Sequence, residues 1–296
     1  MWIPITLAAA TFQILRTARQ HRLRDLLSLN EAGFVRYAYG LPWALLACAI
    51  TFVALGRDVP SIPLRFWWIV AGAGVAQILG TVALLRSFDL RDFAIGTVYS
   101  KSEVILVAIV SAVALGEPLA AAGWIGAAIC VAGLGWLAAP SRIADALRLA
   151  GDPAALMGVL AALGFALAAA GLRGASTSLD GGSTWDRAIL TLTAMLTIQT
   201  LINGTQIRWS ERDSLASVAA AWRPAMSVGV LSMAGSASWT LAFTLTNVAK
   251  VRTLGQVELV LAFAVSAWWL RERHVRAEYL ASGLVLLGVI AVVALG

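Results

Sequence analysis

The feature that most limits how this chain can fold is a series of ten long apolar runs. A helix needs about 20 apolar residues to cross the hydrocarbon core of a bilayer, and these runs meet or approach that length. They cover residues 3–19, 32–55, 66–87, 93–115, 119–139, 155–174, 185–206, 224–245, 248–270 and 277–295. The runs are uniformly apolar rather than alternating, which argues against a transmembrane β-barrel. The pattern predicts an all-α integral membrane protein with ten transmembrane helices.

The composition agrees with that fold class and argues against several functions. Of the 296 residues, 60% are hydrophobic and 13% are charged, whereas a soluble domain carries about 25% charged residues. The net charge of +6 comes largely from cations in short loops, which suits contact with anionic lipid better than with nucleic acid. His21 and His274 have no acid or cysteine cluster beside them, and there is no Gly-Lys-Ser/Thr phosphate loop. We therefore expect no enzyme activity, cofactor, metal or nucleic-acid partner.

The second half of the chain repeats the first when the sequence is shifted by 155 residues. Glu103 then meets Glu258, and the starts of the predicted helices coincide. The shift defines two segments, residues 1–141 and 155–296, each with five predicted helices. Because five is an odd number, the second segment must enter the membrane from the opposite side. The sequence thus predicts an inverted-topology repeat, which is a common plan of alternating-access transporters.

With these features, the chain resembles the drug/metabolite transporter superfamily in its ten-helix, EamA-like form. The shared features are an arginine near the start of helix 2, an acidic residue between the fourth and fifth helix of each repeat, and glycines spaced along the fifth helices. They are Arg36, Glu117, Glu272, Gly123, Gly126, Gly133, Gly135, Gly283 and Gly288. The resemblance covers nearly the whole chain and implies a secondary transporter, such as an exporter of amino acids, drugs or other metabolites.

Predicted helices 4 and 9 each carry a glutamate about ten residues from the helix start. An ionisable group at membrane depth costs about 2.5–3.5 kcal/mol on insertion scales, so Glu103 and Glu258 are candidates for function. Tyr99 shares a helix face with Glu103. A carboxyl group removed from water favours its neutral form, so either glutamate could exchange a proton for a substrate. The alternative is structural: each glutamate pairs with a neighbouring Lys, Arg or Tyr and never titrates.

Two further residues have a functional and a structural interpretation. Lys101 lies about 200° around the helix from Glu103, so the two do not pair on one face. Lys101 either meets a carboxylate of another helix or of a substrate, or extends to the membrane interface. The 155-residue shift places Gln256 at the position equivalent to Lys101, so the two halves carry different chemical groups there. Arg36 could hold a carboxylate with its planar guanidinium, but an interfacial anchor is the favoured interpretation.

Polar and aromatic residues also lie on stripes that we expect to face the helix bundle. These are Gln13, Gln77 and Trp239. Trp239 would supply an aromatic wall for an amphipathic substrate, although polar side chains at such positions more often join helices than touch ligands. Glu117 and Glu272 fall at helix–helix turns, where an acid stabilises the start of the following helix.

Together these observations predict a secondary transporter that exports a small polar or amphipathic metabolite by proton antiport. A passive facilitator of the same fold and a non-transporting protein for lipid handling or assembly stay open as alternatives. The expected partners are a small-molecule substrate, protons and the lipid bilayer, and the expected location is the inner membrane of the cell. Fourteen loop cations against six place both termini outside by the positive-inside rule. The family resemblance instead implies cytoplasmic termini.

Overall fold

A computed structural model describes residues 1–23, 26–90, 99–138, 152–210, 214–260 and 276–296. In these residues the chain forms twelve α-helices and one π-helical turn, Ile50–Ala54, which continues α3. The α-helices are α1 (Trp2–Leu23), α2 (Leu29–Ala38), α3 (Leu41–Ala49), α4 (Leu64–Leu90), α5 (Glu103–Leu115), α6 (Ala121–Ala138), α7 (Pro153–Ser178), α8 (Thr184–Ser210), α9 (Ser214–Ala220), α10 (Trp222–Leu245), α11 (Val248–Gly255) and α12 (Arg276–Leu295).

Six helical segments in the described part of the chain are long and apolar enough to cross a membrane. They are Asn30–Ala54, Leu64–Ser87, Pro153–Ser178, Thr184–Trp209, Trp222–Leu245 and Arg276–Leu295. Over the same residues the backbone forms no β-strand, and one isolated bridge joins Ser61 to Asp180. The chain is therefore an all-α, multi-pass membrane protein, as its apolar runs predict. Parts of predicted helices 4, 5 and 9, and the residues Glu272 and His274, lie outside the described residues.

The segment predicted over residues 32–55 corresponds to one candidate membrane span, Asn30–Ala54, but its helix is interrupted after α2. A turn at Tyr39 and Gly40 separates α2 from α3. Pro42 explains the break, since a proline ring within a helix collides with the carbonyl four residues earlier, and that residue is Ala38, the last residue of α2. The apolar pattern alone does not reveal this interruption, because it continues across the proline.

Predicted helices 4 and 9 are also interrupted, at positions related by the 155-residue shift. The turns lie at Lys101–Ser102 and at Gln256. At each turn the backbone changes to tighter hydrogen bonds between residues three apart: the Ser102 N–H donates to the Tyr99 carbonyl over 3.1 Å, and the Gln256 N–H donates to the Thr253 carbonyl over 3.1 Å. A stretch of this 3₁₀ type within a helix often marks a functional position.

The chain divides into two compact units, and each unit takes residues from both halves of the sequence. Unit 1 consists of Met1–Gly74 and Gly171–Leu245. In it α1 packs along α10, and α8 packs against α2 and α3. The α10 backbone approaches the turn between α2 and α3 at Gly229, where a side chain would collide with Tyr39. The Tyr39 hydroxyl also donates to the Val218 carbonyl over 2.8 Å, which fixes this turn against α9.

Unit 2 consists of Val75–Ala170 and Thr246–Gly296. Its most extensive contact is between α6 and α12, where small residues bring the two backbones together. A Cβ atom on Gly133 would lie 2.7 Å from the Val285 nitrogen, and one on Gly288 would collide with Cys130. Close packing of this kind stabilises helix association in lipid, where the hydrophobic effect does not drive helices together. Helix α11 packs against α5 and α12.

Replacing Gly288 by alanine tests the close contact between α6 and α12. The added methyl group would lie 2.6 Å from the Gly126 carbonyl oxygen. We expect Gly288→Ala to lower the free energy of unfolding by about 1–3 kcal/mol, the usual cost of overpacking. Gly283 on the same helix is the matched control, because a Cβ atom there meets nothing within 4 Å. Thermal unfolding in detergent should therefore separate the two variants, and equal stability of both would contradict this packing.

Candidate functional site

Unit 2 contains a cluster of charged and polar side chains around the two helix interruptions. We call Lys101, Glu103, Arg252, Gln256 and Glu258 the charged cluster. Lys101 and Glu103 come from the first half of the chain, and the other three come from the second half. Four of the five were predicted as site residues from the sequence. The structure adds Arg252.

The closest charge pair in the cluster is between Glu103 and Arg252. The Arg252 Nε atom lies 3.1 Å from Glu103 Oε1, and the side chains are 16% and 13% exposed, respectively. The Nε–H does not point at Oε1 with hydrogen-bond geometry, so this contact is mainly electrostatic. Glu103 is also in the first turn of α5, where the helix dipole favours a negative charge. The structural interpretation of Glu103 required an ionic partner of this kind, and Arg252 supplies it.

Lys101 contacts Gln256, its equivalent in the second repeat. Its Nζ atom donates to Gln256 Oε1 over 3.4 Å, which is long for a hydrogen bond. Gln256 in turn donates from Nε2 to the Arg252 carbonyl over 3.4 Å. The negative charges of Glu258 and Glu103 both attract the Lys101 ammonium group. The hydrogen-bond partner of Lys101 is thus an amide oxygen, whereas the sequence led us to expect a carboxylate of another helix or of a substrate.

The turn at Lys101–Ser102 determines where Glu103 lies on its helix. The Ser102 hydroxyl donates to the Tyr99 carbonyl over 2.7 Å and so satisfies a backbone group at the interruption. After this turn, Glu103 is the first residue of α5 rather than a residue in the middle of a long helix. Tyr99, predicted to share a face with Glu103, lies before the turn and is half-buried.

Arg252 lies within the apolar run over residues 248–270, but as one of the six cations counted in the second set of loops it was not predicted as a site residue. The structure places it on α11, with its side chain largely buried. A sequence signal for this helix was present: Asn247 precedes the helix, and its side chain caps it by accepting the Ala249 N–H over 2.8 Å. An asparagine at this position is a typical helix start, and it places Arg252 within the helix rather than in the loop before it.

Three other predicted site residues lie in unit 1. The Trp239 Nε1 atom donates to Gln13 Oε1 over 3.2 Å, which joins α10 to α1. The Trp239 ring is buried and stacks on Phe243 with 5.8 Å between ring centroids. Arg36 lies in the last turn of α2, with its guanidinium carbon 5.0 Å from the centre of the Tyr37 ring. The hydrogen bond of Trp239 with Gln13 joins two helices, as expected for most polar side chains in membrane proteins. The two ring contacts each lie within a single helix.

The remaining predicted residues of unit 2 have simpler surroundings. Gln77 is half-buried on α4, and its backbone carbonyl accepts the Thr81 hydroxyl over 2.8 Å. The Glu117 carbonyl accepts hydrogen bonds from Ser111 and Asn247 at the turn after α5. Across the described ranges, no three His, Cys, Asp or Glu side chains are grouped as a metal site.

The chain matches no protein-family model and no curated protein. Its fold is similar to that of a protein known from a crystal structure, with a TM-score of 0.69 over 98% of this chain and 95% of the other. The two sequences are 15% identical over this match. At that identity the similarity concerns the fold alone.

The Glu103–Arg252 pair can be tested by removing one charge at a time. Arg252→Gln leaves a largely buried carboxylate without its cation, and we expect a loss of about 2 kcal/mol or more in the free energy of unfolding. Adding Glu103→Gln should recover part of that loss. Arg65→Gln is the control, because Arg65 is an exposed residue at the start of α4 and substitutions at exposed positions usually change stability by less than about 0.5 kcal/mol. Additive losses in the double variant, followed by thermal unfolding, would contradict the pairing.

Proposed function

We propose that this protein is a secondary transporter that exports a small polar or amphipathic metabolite. We further propose that it crosses the membrane ten times, as two inverted five-helix repeats of the drug/metabolite transporter type. The inner membrane of the cell is the proposed location. The sequence resemblance and the charged cluster support this function, and the fold similarity is compatible with it.

The observation that carries the proposal is the charged cluster itself. Four ionisable side chains lie within or beside apolar helices, where a charge costs about 2.5–3.5 kcal/mol on insertion scales. The helices of unit 2 can pack without these charges, for example through the small-residue contacts between α6 and α12. Charges at membrane depth usually mark the pathway of a substrate or an ion. The 3₁₀ turns on both sides of the cluster are consistent with the interrupted helices of transporter binding sites.

Reciprocal contacts support the repeat. The 155-residue shift converts the contact of Gly133 with Val285 into the contact of Gly288 with Cys130, and both contacts occur. Such exchange of partners is typical of elements related by a two-fold axis. The hydrogen bond of Lys101 with Gln256, which are 155 residues apart, agrees with an axis passing close to these side chains.

Proton antiport through Glu103 or Glu258 is the proposed mechanism. When ionised, Glu103 pairs with Arg252. A proton on Glu103 removes the negative charge and weakens that pair, which changes the polar surface offered to a substrate. Substrate and proton would then occupy the cluster in alternation, and one moves against the other. The substrate, the protons and the lipid bilayer are the partners that this mechanism requires.

Transport in proteoliposomes tests the proposal. The lumen holds a mixed pool of small metabolites, a pH gradient is imposed, and the loss of each component is followed by mass spectrometry. We expect the wild-type chain to move at least one component with the gradient. Glu103→Gln, Glu258→Gln or the double variant should lower the gradient-driven rate at least tenfold, within the usual contribution of a proton-transfer group. Asp58→Asn, at an exposed loop carboxylate, is the matched control and should retain the rate.

The outcomes separate the alternatives. Movement that does not depend on the gradient, and that is unchanged in both glutamate variants, would favour a passive facilitator and contradict proton coupling. No movement of any component by folded protein would contradict transport. A role in lipid handling or assembly would then be favoured.

A further inference from the structure

Two chain turns of unit 2 meet at a single backbone oxygen, the carbonyl of Glu117. The Ser111 hydroxyl donates to this oxygen over 3.3 Å, and the Asn247 side-chain amide donates to it from Nδ2 over 2.8 Å. Gly116, with φ +67°, allows α5 to end in a sharp left-handed turn that presents this carbonyl. The start of α11 is therefore joined directly to the end of α5.

Asn247 uses its other side-chain atom to begin α11. Its Oδ1 accepts the Ala249 N–H over 2.8 Å, so one amide both caps the helix and bridges to α5. Helix α11 is only eight residues long, and an isolated helix of that length is marginal in water. Its position therefore depends on its cap and on its packing. Val248, Ala249 and Val251, which follow directly, are fully buried.

We propose that Asn247 is a positioning residue that sets the separation of Arg252 and Glu103. Arg252 follows Asn247 by five residues, about 7.5 Å along α11. Glu103 begins α5, and the bridged carbonyl of Glu117 follows the end of α5. Both partners of the ion pair are thus carried by the two helices that the Asn247 bridge joins. Because a helix is stiff over this length, a shift at the bridge moves Arg252 relative to Glu103. The consequence for transport rests on the proposed function, whereas the positioning itself does not.

A double-mutant cycle on thermal stability tests the positioning without any transport assay. Asn247→Ser keeps an oxygen that can cap α11 but is too short to reach the Glu117 carbonyl. It is made in the wild-type background and together with Glu103→Gln, in the full chain in detergent. Ser111→Ala is the matched control, because it removes the other donor to the same carbonyl without changing α11.

We expect Asn247→Ser to lower the unfolding midpoint by about 2–4 °C in the wild-type background. With Glu103→Gln present, the further loss should be less than half as large, because the ion pair that Asn247 positions is already gone. Ser111→Ala should cost the same in both backgrounds. Equal losses from Asn247→Ser in the two backgrounds would overturn the proposal. If Asn247→Ser does not fold, Asn247→Asp, which keeps the cap and lacks the donor, takes its place in the cycle.

Transport measurements on the same variants distinguish a failure of this inference from a failure of the proposed function. Asn247→Ser should lower gradient-driven transport about tenfold, since small displacements of a site group have effects of this size or larger. Ser28→Ala, which removes the capping box of α2 in unit 1, should leave the rate unchanged. If the wild-type chain transports nothing, the proposed function fails and the thermal cycle still decides the role of Asn247. If wild type transports and the cycle is additive, only the positioning role is overturned.

Discussion

Backbone polar groups that leave a helix inside a bilayer find no water, so the chain itself must satisfy them. This constraint explains several side chains whose charge or polarity would otherwise be out of place. The guanidinium of Arg173 donates to the carbonyls of Phe243, over 2.5 Å, and Thr244, over 3.4 Å, at the end of α10. In the same way, the Asn247 side-chain amide donates a hydrogen bond to the Glu117 carbonyl after the end of α5. Arg173 lies near the end of the apolar run over residues 155–174, and α7 carries its guanidinium group to this helix end.

The same constraint connects the interrupted helices to the candidate site. At Lys101–Ser102 the chain keeps its hydrogen bonds by tightening the backbone and by using the Ser102 hydroxyl for the Tyr99 carbonyl. The turn ends one helix and starts another beside Glu103, so a carboxylate comes to lie at a helix N-terminus within an apolar segment. The turn at Lys101–Ser102 therefore both satisfies the backbone hydrogen bonds and sets the position of the Glu103 charge.

The sequence predicts the parts of this arrangement that depend on long patterns. Runs of about 20 apolar residues identify an all-α membrane protein, and the polar exceptions within them identify Lys101, Glu103 and Gln256. The break after α2 could not be predicted from hydropathy, because Pro42 changes the backbone without interrupting the apolar pattern. Arg252 was missed for a related reason: its helix is short, and its burial depends on packing against α5, which a single sequence does not show.

The differences between the two halves follow from their proposed symmetry. Equivalent residues that meet near a two-fold axis cannot both carry the same charge without repulsion, and the pair that meets here is Lys101 with Gln256, one cation and one neutral amide. Glu103 and Glu258 are a different case, because the cations in the two halves are not equivalent. Arg252 serves Glu103, but a 155-residue shift converts Arg252 into Thr97, so Glu258 has no equivalent arginine. The Lys101 ammonium group interacts electrostatically with both glutamates. The charged cluster therefore holds two acids and two cations in which the halves contribute unlike groups. Protonation of Glu103 would weaken its pair with Arg252, whereas the 155-residue shift gives Glu258 no equivalent arginine, so under the proposed function the two glutamates are not interchangeable.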